Sequence, residues 1–198
     1  MFTGIIESVG KIADIIKEGS NYHFEVKSGI APELKVDQSV CHNGVCLTVT
    51  EVSDQSYKVT AIAETLKRSN LGNLTIGSQI NLERCMPAYG RFDGHVVQGH
   101  VDQTGVCTSV KEVEGSWLFD FKYQQENDSY MTVEKGSITI NGVSLTCFNS
   151  ETESFRVAII PYTYQHTNFN QLEVGDYVNL EFDIVGKYIA KILAKQVR

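Results

Sequence analysis

The sequence predicts an all-β protein: two tandem homologous antiparallel β-barrels followed by a C-terminal α-helix. Three observations carry this expectation: an internal duplication, strand-like alternation of apolar residues within each copy, and helical apolar spacing confined to the tail. Residues 43–83 laid over 141–181 at a constant offset of 98 give 15 identities in 41 positions without a gap. They include Asn43-Gly44-Val45 with Asn141-Gly142-Val143, Leu47-Thr48 with Leu145-Thr146, and Asn81-Leu82-Glu83 with Asn179-Leu180-Glu181. Near the start of each half the offset becomes 95, pairing Gly4, Glu7 and Gly10 with Gly99, Asp102 and Gly105. A period this long exceeds the 20–50 residues of solenoid repeats, so each copy is expected to be a domain with its own core. The expected domains are residues 1–95 and 96–185, with a helix over 186–198.

Within each copy the elements follow from local chemistry. Tyr57 to Ile62, Ile80 to Glu83 and Trp117 to Tyr123 alternate apolar and polar residues, and turn residues recur every 8–12 positions. The Asn-Gly pairs at 43–44 and 141–142 predict hairpins, because a type I′ turn needs positive φ at both central residues. Short helical pieces are expected at Pro32 to Lys35, Glu64 to Ser69, Ser129 to Val133 and Tyr162 to Thr167. About 95 residues suffice for a closed barrel, which removes exposed sheet edges; an open sandwich is the alternative. In the tail, Tyr188, Ile189, Ile192 and Leu193 recur at helical spacing opposite Lys187, Lys191 and Lys195. A helix of about three turns is marginal alone, so its stripe must pack on its own barrel or on the same helix in other subunits.

Composition excludes several function classes. The 198 residues are 42% hydrophobic and 21% charged, a globular balance. Seventeen Lys and Arg against 24 Asp and Glu give a net charge of −7, so the general attraction to nucleic-acid phosphates or anionic lipid is missing. No run approaches the ~18 apolar residues of a spanning helix, and the first residues show no export signal. The odd count of five cysteines, with no CxxC pair, implies free thiols in a reducing cytoplasm.

Few residues announce chemistry. His95 and His100 are five apart, which on a strand sends them to opposite faces and disfavours joint metal ligation. His100 follows Gly99, the repeat-mate of Gly4, whose missing side chain would admit a flat ligand; a half-buried histidine bonded to a carbonyl is the competing reading. Strands Val45 to Thr50 and Val143 to Phe148 each present a two-point polar ladder, Cys46 with Thr48 and Ser144 with Thr146, leucine facing away. No GxSxG signature surrounds either small residue. Glu64-Thr65 and Tyr162-Thr163 each follow an apolar strand, at a corner that either caps a short helix or aims donors at a ligand. Lys135 and Asp183 are single charges near strand ends, and Phe2 is either a staple into the core or a lid.

Met1-Phe2-Thr3-Gly4-Ile5-Ile6-Glu7, Asn43-Gly44-Val45-Cys46-Leu47-Thr48-Val49-Thr50, Gly99-His100-Val101-Asp102 and Asn141-Gly142-Val143-Ser144-Leu145-Thr146 together closely resemble the riboflavin synthase family, end to end. The resemblance implies two six-stranded barrels, a homotrimer formed through the C-terminal helix, and a site between the N-terminal barrel of one subunit and the C-terminal barrel of another. It implies dismutation of two molecules of 6,7-dimethyl-8-ribityllumazine: a four-carbon unit passes from one to the other, giving riboflavin and 5-amino-6-(ribitylamino)uracil without metal or organic cofactor. Assembly with lumazine synthase stays open.

The resemblance also places the sites. The N-terminal pocket would comprise Gly4, Ile5 and Ile6, then Cys46, Leu47 and Thr48, then the corner Thr60, Ala61, Ile62, Ala63, Glu64 and Thr65, with Ser39 beside them. The C-terminal pocket would comprise Gly99, His100 and Val101, then Lys135, then Ser144, Leu145 and Thr146, then the corner Ile160, Pro161, Tyr162, Thr163, Tyr164 and Gln165. His100 and Thr146 would move the methyl proton, Ser144 and Asp183 would polarise, Cys46 would assist, and Phe2 would act as a lid. Two departures stand out: Asn141 where some members carry aspartate, and Tyr162 where a glutamate matching Glu64 is common. Unequal grip on the two ribityl chains is therefore expected. A non-catalytic lumazine- or flavin-binding antenna protein of the same fold is the alternative, disfavoured by the intact motifs of the second half. A flavin reductase barrel would need a Gly-rich nicotinamide domain, for which the sequence has no segment.

Overall fold

The computed structural model describes residues 1–196. Twelve strands form two closed barrels of six, so closure rather than an open sandwich removes the sheet edges. The first barrel holds β1 (Ser8–Glu18), β2 (Asn21–Lys27), β3 (Ser39–His42), β4 (Val45–Val52), β5 (Ser56–Ala61) and β6 (Gln79–Arg84) in the order β1-β2-β5-β4-β3-β6. The second holds β7 (Gln103–Val113), β8 (Ser116–Lys122), β9 (Ser137–Ile140), β10 (Val143–Phe148), β11 (Ser154–Ile159) and β12 (Tyr177–Phe182) in the equivalent cyclic order. The bulge that bends β1 between Ile12 and Asp14 recurs at its repeat-mates Cys107 and Ser109 in β7.

Local sequence explains the hairpins. Asn43 and Gly44 have φ of 46° and 87°, Asn141 and Gly142 of 46° and 82°, as a type I′ turn requires. Each turn joins four-residue pairs, His42 opposite Val45 and Ile140 opposite Val143. Inward residues alternate along each strand and fill separate cores. The first is mainly aliphatic, with Ile12, Val26, Val40, Leu47, Val49, Val59, Ile80 and Leu82. The second is rich in phenylalanine, with Phe119, Phe121, Phe155, Phe169 and Phe182. Each such side chain contributes ~1.5–3 kcal/mol through burial, so each copy is a self-sufficient hydrophobic unit.

Short helices α1 (Ala63–Arg68) and α2 (Pro161–His166) occupy equivalent corners, and 3-10 turns span Ala31–Glu33, Asn70–Asn73 and Asn168–Gln171. The helix expected at Ser129 to Val133 does not form. The Asn127 side chain accepts from both Ser129 N–H and its hydroxyl at 3.0 Å, fixing a local turn instead, and Tyr130 stacks on Phe182. The terminal helix α3 (Ile184–Gln196) begins two residues before the expected 186; positions 197 and 198 of that prediction lie outside the described residues. None of its residues is buried. All five cysteines are free.

The barrels meet through asparagines. Gly44 and Gly142 lie back to back, so close that a Cβ on Gly44 would stand 3.0 Å from the Gly142 nitrogen. Around them Asn81 donates to the Asn141 carbonyl at 2.9 Å and Asn179 to the Asn43 carbonyl at 2.7 Å. Asn168 donates to Asn43 and Asn70 to Asn141, completing a near-twofold network. Such bonds add only ~1 kcal/mol each, but an orphaned buried partner costs ~1–3 kcal/mol, so the network fixes orientation more than it adds stability.

Candidate active site

The N-terminal segment of each copy crosses to the other barrel. The Gly4 carbonyl accepts from Ser144 N–H at 2.8 Å, and the Gly99 carbonyl accepts from Cys46 N–H at 2.8 Å. Between them Phe2 and Val97 exchange both backbone hydrogen bonds, at 2.8 and 3.1 Å. Ile6 accordingly packs on the second core and Val101 on the first. This corrects the expected grouping: Gly4, Ile5 and Ile6 belong with Ser144, while Gly99, His100 and Val101 belong with Cys46. Sequence proximity suggested otherwise, but the antiparallel pairing of the two segments carries each across the junction.

Two buried carboxylates clamp the crossed segments. Glu83 accepts from Thr3 N–H, the Thr3 hydroxyl and Gly4 N–H at 2.6, 2.9 and 3.0 Å. Its repeat-mate Glu181 accepts from Gln98, Gly99 and His100 N–H at 2.6, 2.9 and 2.9 Å. Burial raises both acids above their ordinary range, and the backbone donors offset only part of that rise. A charge at the same place in two alternating strands was the sequence signal for these residues, and the site prediction did not use it.

The first-barrel pocket is a cavity of about 310 Å³ bounded by Val45 and Cys46, by Glu64, Thr65, Arg68 and Ser69 at the α1 corner, by Gly99 to Asp102, and by Tyr130. That is enough to take one bicyclic ring with few polar contacts. A larger groove of about 610 Å³ between Lys67, Arg68 and the outer face of β7 and β8 contains none of the predicted residues. Cys46 is half buried and Thr48 exposed, while Leu47 and Ala61 are buried in the barrel core. Thr60 is taken by His23 at 2.9 Å. The Ser39 hydroxyl lowers the Cys46 thiol pKa, but desolvation dominates and raises it, so Cys46 is a weak nucleophile. Ser39 itself lines a separate cavity beside Arg84. Ile62 and Ile160, 56% and 59% exposed, and Ala63 complete the outward corners.

The second ledge differs in its polar equipment. Ser144 lies 2.7 Å from His95 Nδ1, whose Nε2 lies 3.1 Å from the Thr139 hydroxyl. Desolvation lowers the His95 pKa and keeps the ring neutral, so one hydroxyl donates to it and the other accepts. His95 was absent from the predicted site, because its spacing from His100 speaks only to metal ligation and nothing in the sequence places it beside Ser144. Glu64 bonds Arg68 at 2.9 Å; the equivalent pair, Tyr162 and His166, stacks instead, with centroids 4.1 Å apart. Pro161 opens α2, Tyr164 stacks on Trp117 at 3.8 Å, and Thr163 accepts from Thr167 through its carbonyl at 2.7 Å. Thr146 is exposed, Leu145 packs on the second core, and Gln165 lies on the outer side of α2.

Lys135 and Asp183 stand outside these ledges, and Phe2 lies buried beneath the first. Lys135, at φ 65°, lies over the Phe148 ring at 5.6 Å. Asp183 caps α3, accepting from Val185 N–H at 2.9 Å, while its charge reaches His95. Phe2 is 0% exposed, packed with Cys41, Val97 and Cys46; in this conformation it is the staple rather than a lid, because its backbone is locked to Val97. Among the described residues no group of three or more His, Cys, Asp or Glu is arranged to hold a metal ion.

Residues 3–85 and 98–183 each match the lumazine binding domain family. The riboflavin synthase of Actinobacillus pleuropneumoniae is 45% identical over 197 residues, covering 99% of this chain and 91% of that protein. The chain belongs to the riboflavin synthase family. The riboflavin synthases of Bacillus subtilis (strain 168) and Saccharomyces cerevisiae are 40% and 36% identical over 98% and 96% of this chain, and 91% and 85% of their own lengths. Solved structures of LumP, with riboflavin and with 6,7-dimethyl-8-(1'-D-ribityl) lumazine, superpose with TM-scores of 0.85 and 0.83 at 22% and 23% identity. They cover 92% of this chain and 100% and 99% of theirs, and share the fold.

Proposed function

We propose that the chain is a riboflavin synthase that dismutates two molecules of 6,7-dimethyl-8-ribityllumazine to riboflavin and 5-amino-6-(ribitylamino)uracil. What carries the reading is the duplication itself: two repeat-related ledges suit a reaction whose two reactants are the same molecule. The exposed α3 stripe of Tyr188, Ile189, Ile192 and Leu193 supports a homotrimer, in which the Cys46 ledge of one subunit faces the Ser144 ledge of another. A cytoplasmic home fits the five free thiols.

The chemistry asks for alignment more than for a strong nucleophile. The lumazine ring is electron-poor and its C7 methyl is acidic, so two stacked rings in attack geometry need chiefly proton management. Orientation supplies ~7–11 kcal/mol, whereas a placed acid or base supplies ~10²–10⁴-fold, so the ledges carry most of the rate. His100, exposed at the rim of the first pocket, takes the methyl proton, aided by Thr146 across the junction. Ser144, held by His95, hydrogen-bonds the ring on the second ledge. The test is the chain with this lumazine alone: growing flavin absorbance supports the proposal, and unchanged substrate fluorescence overturns it.

A further inference from the structure

Helix α3 is rooted in a pocket wall. Lys187 Nζ lies 2.7 and 2.5 Å from the two oxygens of Asp102, with the side chains only 17% and 11% exposed. Asp102 Oδ2 also accepts from Phe182 N–H at 2.9 Å, and Asp102 N–H donates to the Leu180 carbonyl at 2.9 Å. The same run of chain is held two residues earlier by Glu181 on His100 N–H, and its far side lines the first-barrel pocket. The first copy has no such tie: Glu7, the mate of Asp102, is bound at 2.6 Å by Arg84 from its own barrel, in a more exposed pair.

We propose that Lys187 is a positioning residue for the first-barrel pocket, fixing Asp102 and with it the run 99–102 that carries His100, so that the attitude of α3 shapes this pocket through a tie that the run 3–7 facing Ser144 lacks. Removing the ammonium leaves a nearly buried carboxylate without its cation, a state that must rehydrate or find another partner. The other cation acting on Asp102 is Arg68, across the pocket on α1. A turn toward it would drag the run 99–102 inward and draw Arg68 from Glu64, altering both walls. A neighbour that grips the α3 stripe would thereby bias one pocket of the pair, the structural basis for coupling assembly to ligand grip.

The proposal rests on the lumazine reading only for the ligand used in its test. Hydrogen exchange is measured on Lys187→Met, Lys187→Arg and the unaltered chain, and each is titrated with 6,7-dimethyl-8-ribityllumazine. In Lys187→Met the amides of 98–102 exchange faster while those of 3–7 do not, and one of two binding classes weakens by about tenfold. Lys187→Arg restores both readouts. Unchanged exchange at 98–102, or equal change in both segments and both classes, overturns the proposal. If the unaltered chain binds no lumazine, the functional reading falls and the exchange comparison decides alone. Should Lys187→Met fail to fold, the pair Asp102→Asn with Lys187→Met removes both charges, and slow exchange at 98–102 in that variant overturns the proposal.

Discussion

His95 Nδ1 stands 2.7 Å from the Ser144 hydroxyl, so the second ledge carries a serine hydroxyl oriented by an imidazole whose pKa burial lowers. On the first ledge the equivalent residue is Cys46, packed on Phe2. The two surfaces are alike in backbone and unlike in polarity, which suits two identical molecules that must act differently.

Replacing His95 with Gln therefore separates orientation from binding. Ser144 and Thr139 lose the ring that bridges them, and turnover is expected to fall by about 10²-fold, the scale of a placed proton-transfer group, while lumazine affinity falls much less. Steady-state flavin formation beside a fluorescence titration checks this; equal loss in both would show that His95 merely props the ledge.

Glycines 4 and 99 make the second case. At φ 77° and 79° a Cβ on Gly4 would stand 2.5 Å from Ser144 Cβ, and one on Gly99 2.6 Å from Cys46 Cβ. Gly99→Ala is expected to destabilise by roughly 1–3 kcal/mol and lower Tm by roughly 2–4 °C per kcal/mol. Because the crossed segment wedges against the facing ledge, Gly99→Ala weakens the Cys46 pocket and Gly4→Ala the Ser144 one. Thermal melts and ligand titration of each variant distinguish this from a uniform loss.

That crossing shows where sequence legibility stops. The Asn-Gly turns, the strands around them and the duplicated barrels were readable because turn chemistry and period-two alternation are local. Alternation says which face of a strand is buried but not which barrel a segment joins, so Gly4 was assigned to Cys46 when it lies on Ser144. Similarly, the apolar residues near Ser129 looked helical, whereas Asn127 satisfies the Ser129 donors locally and halts propagation. In sequence Asp102 is only the repeat-mate of Glu7 and the last residue of the Gly99-His100-Val101-Asp102 motif; only the fold brings Lys187 to it from 85 residues away.

The corner helices give a third prediction. Glu64 is ionised beside Arg68, whose guanidinium holds its carboxyl below the usual range, while Tyr162 offers a neutral hydroxyl. A hydrogen bond to an ionised oxygen is about twice as strong, so Glu64→Ala should weaken ribityllumazine binding roughly tenfold and Tyr162→Phe roughly threefold. Equal losses, measured by titration with substrate, would refute an unequal grip.

The last prediction concerns acid stability and uses the repeat as its own control. His42 is buried with Nδ1–H donating to the Val40 carbonyl at 2.9 Å and Nε2 accepting from the Tyr57 hydroxyl at 2.8 Å. Its repeat-mate is Ile140 and that of Tyr57 is Phe155, so the second barrel fills the same place with an apolar pair. Desolvation lowers the His42 pKa from 6.5 to about 4. The unfolded chain therefore binds a proton that the folded one refuses between those values, and stability falls as pH drops from 6.5 toward 4, by up to about 3 kcal/mol. Raised acids such as Glu83 and Glu181 act in the opposite sense, losing stability as pH rises above the ordinary glutamate value. The double substitution His42→Ile with Tyr57→Phe copies the second barrel and removes only the histidine contribution. Denaturant melts at pH 7 and pH 4.5 should then show a smaller acid loss in the double variant than in the unaltered chain; an identical loss would place the acid sensitivity elsewhere.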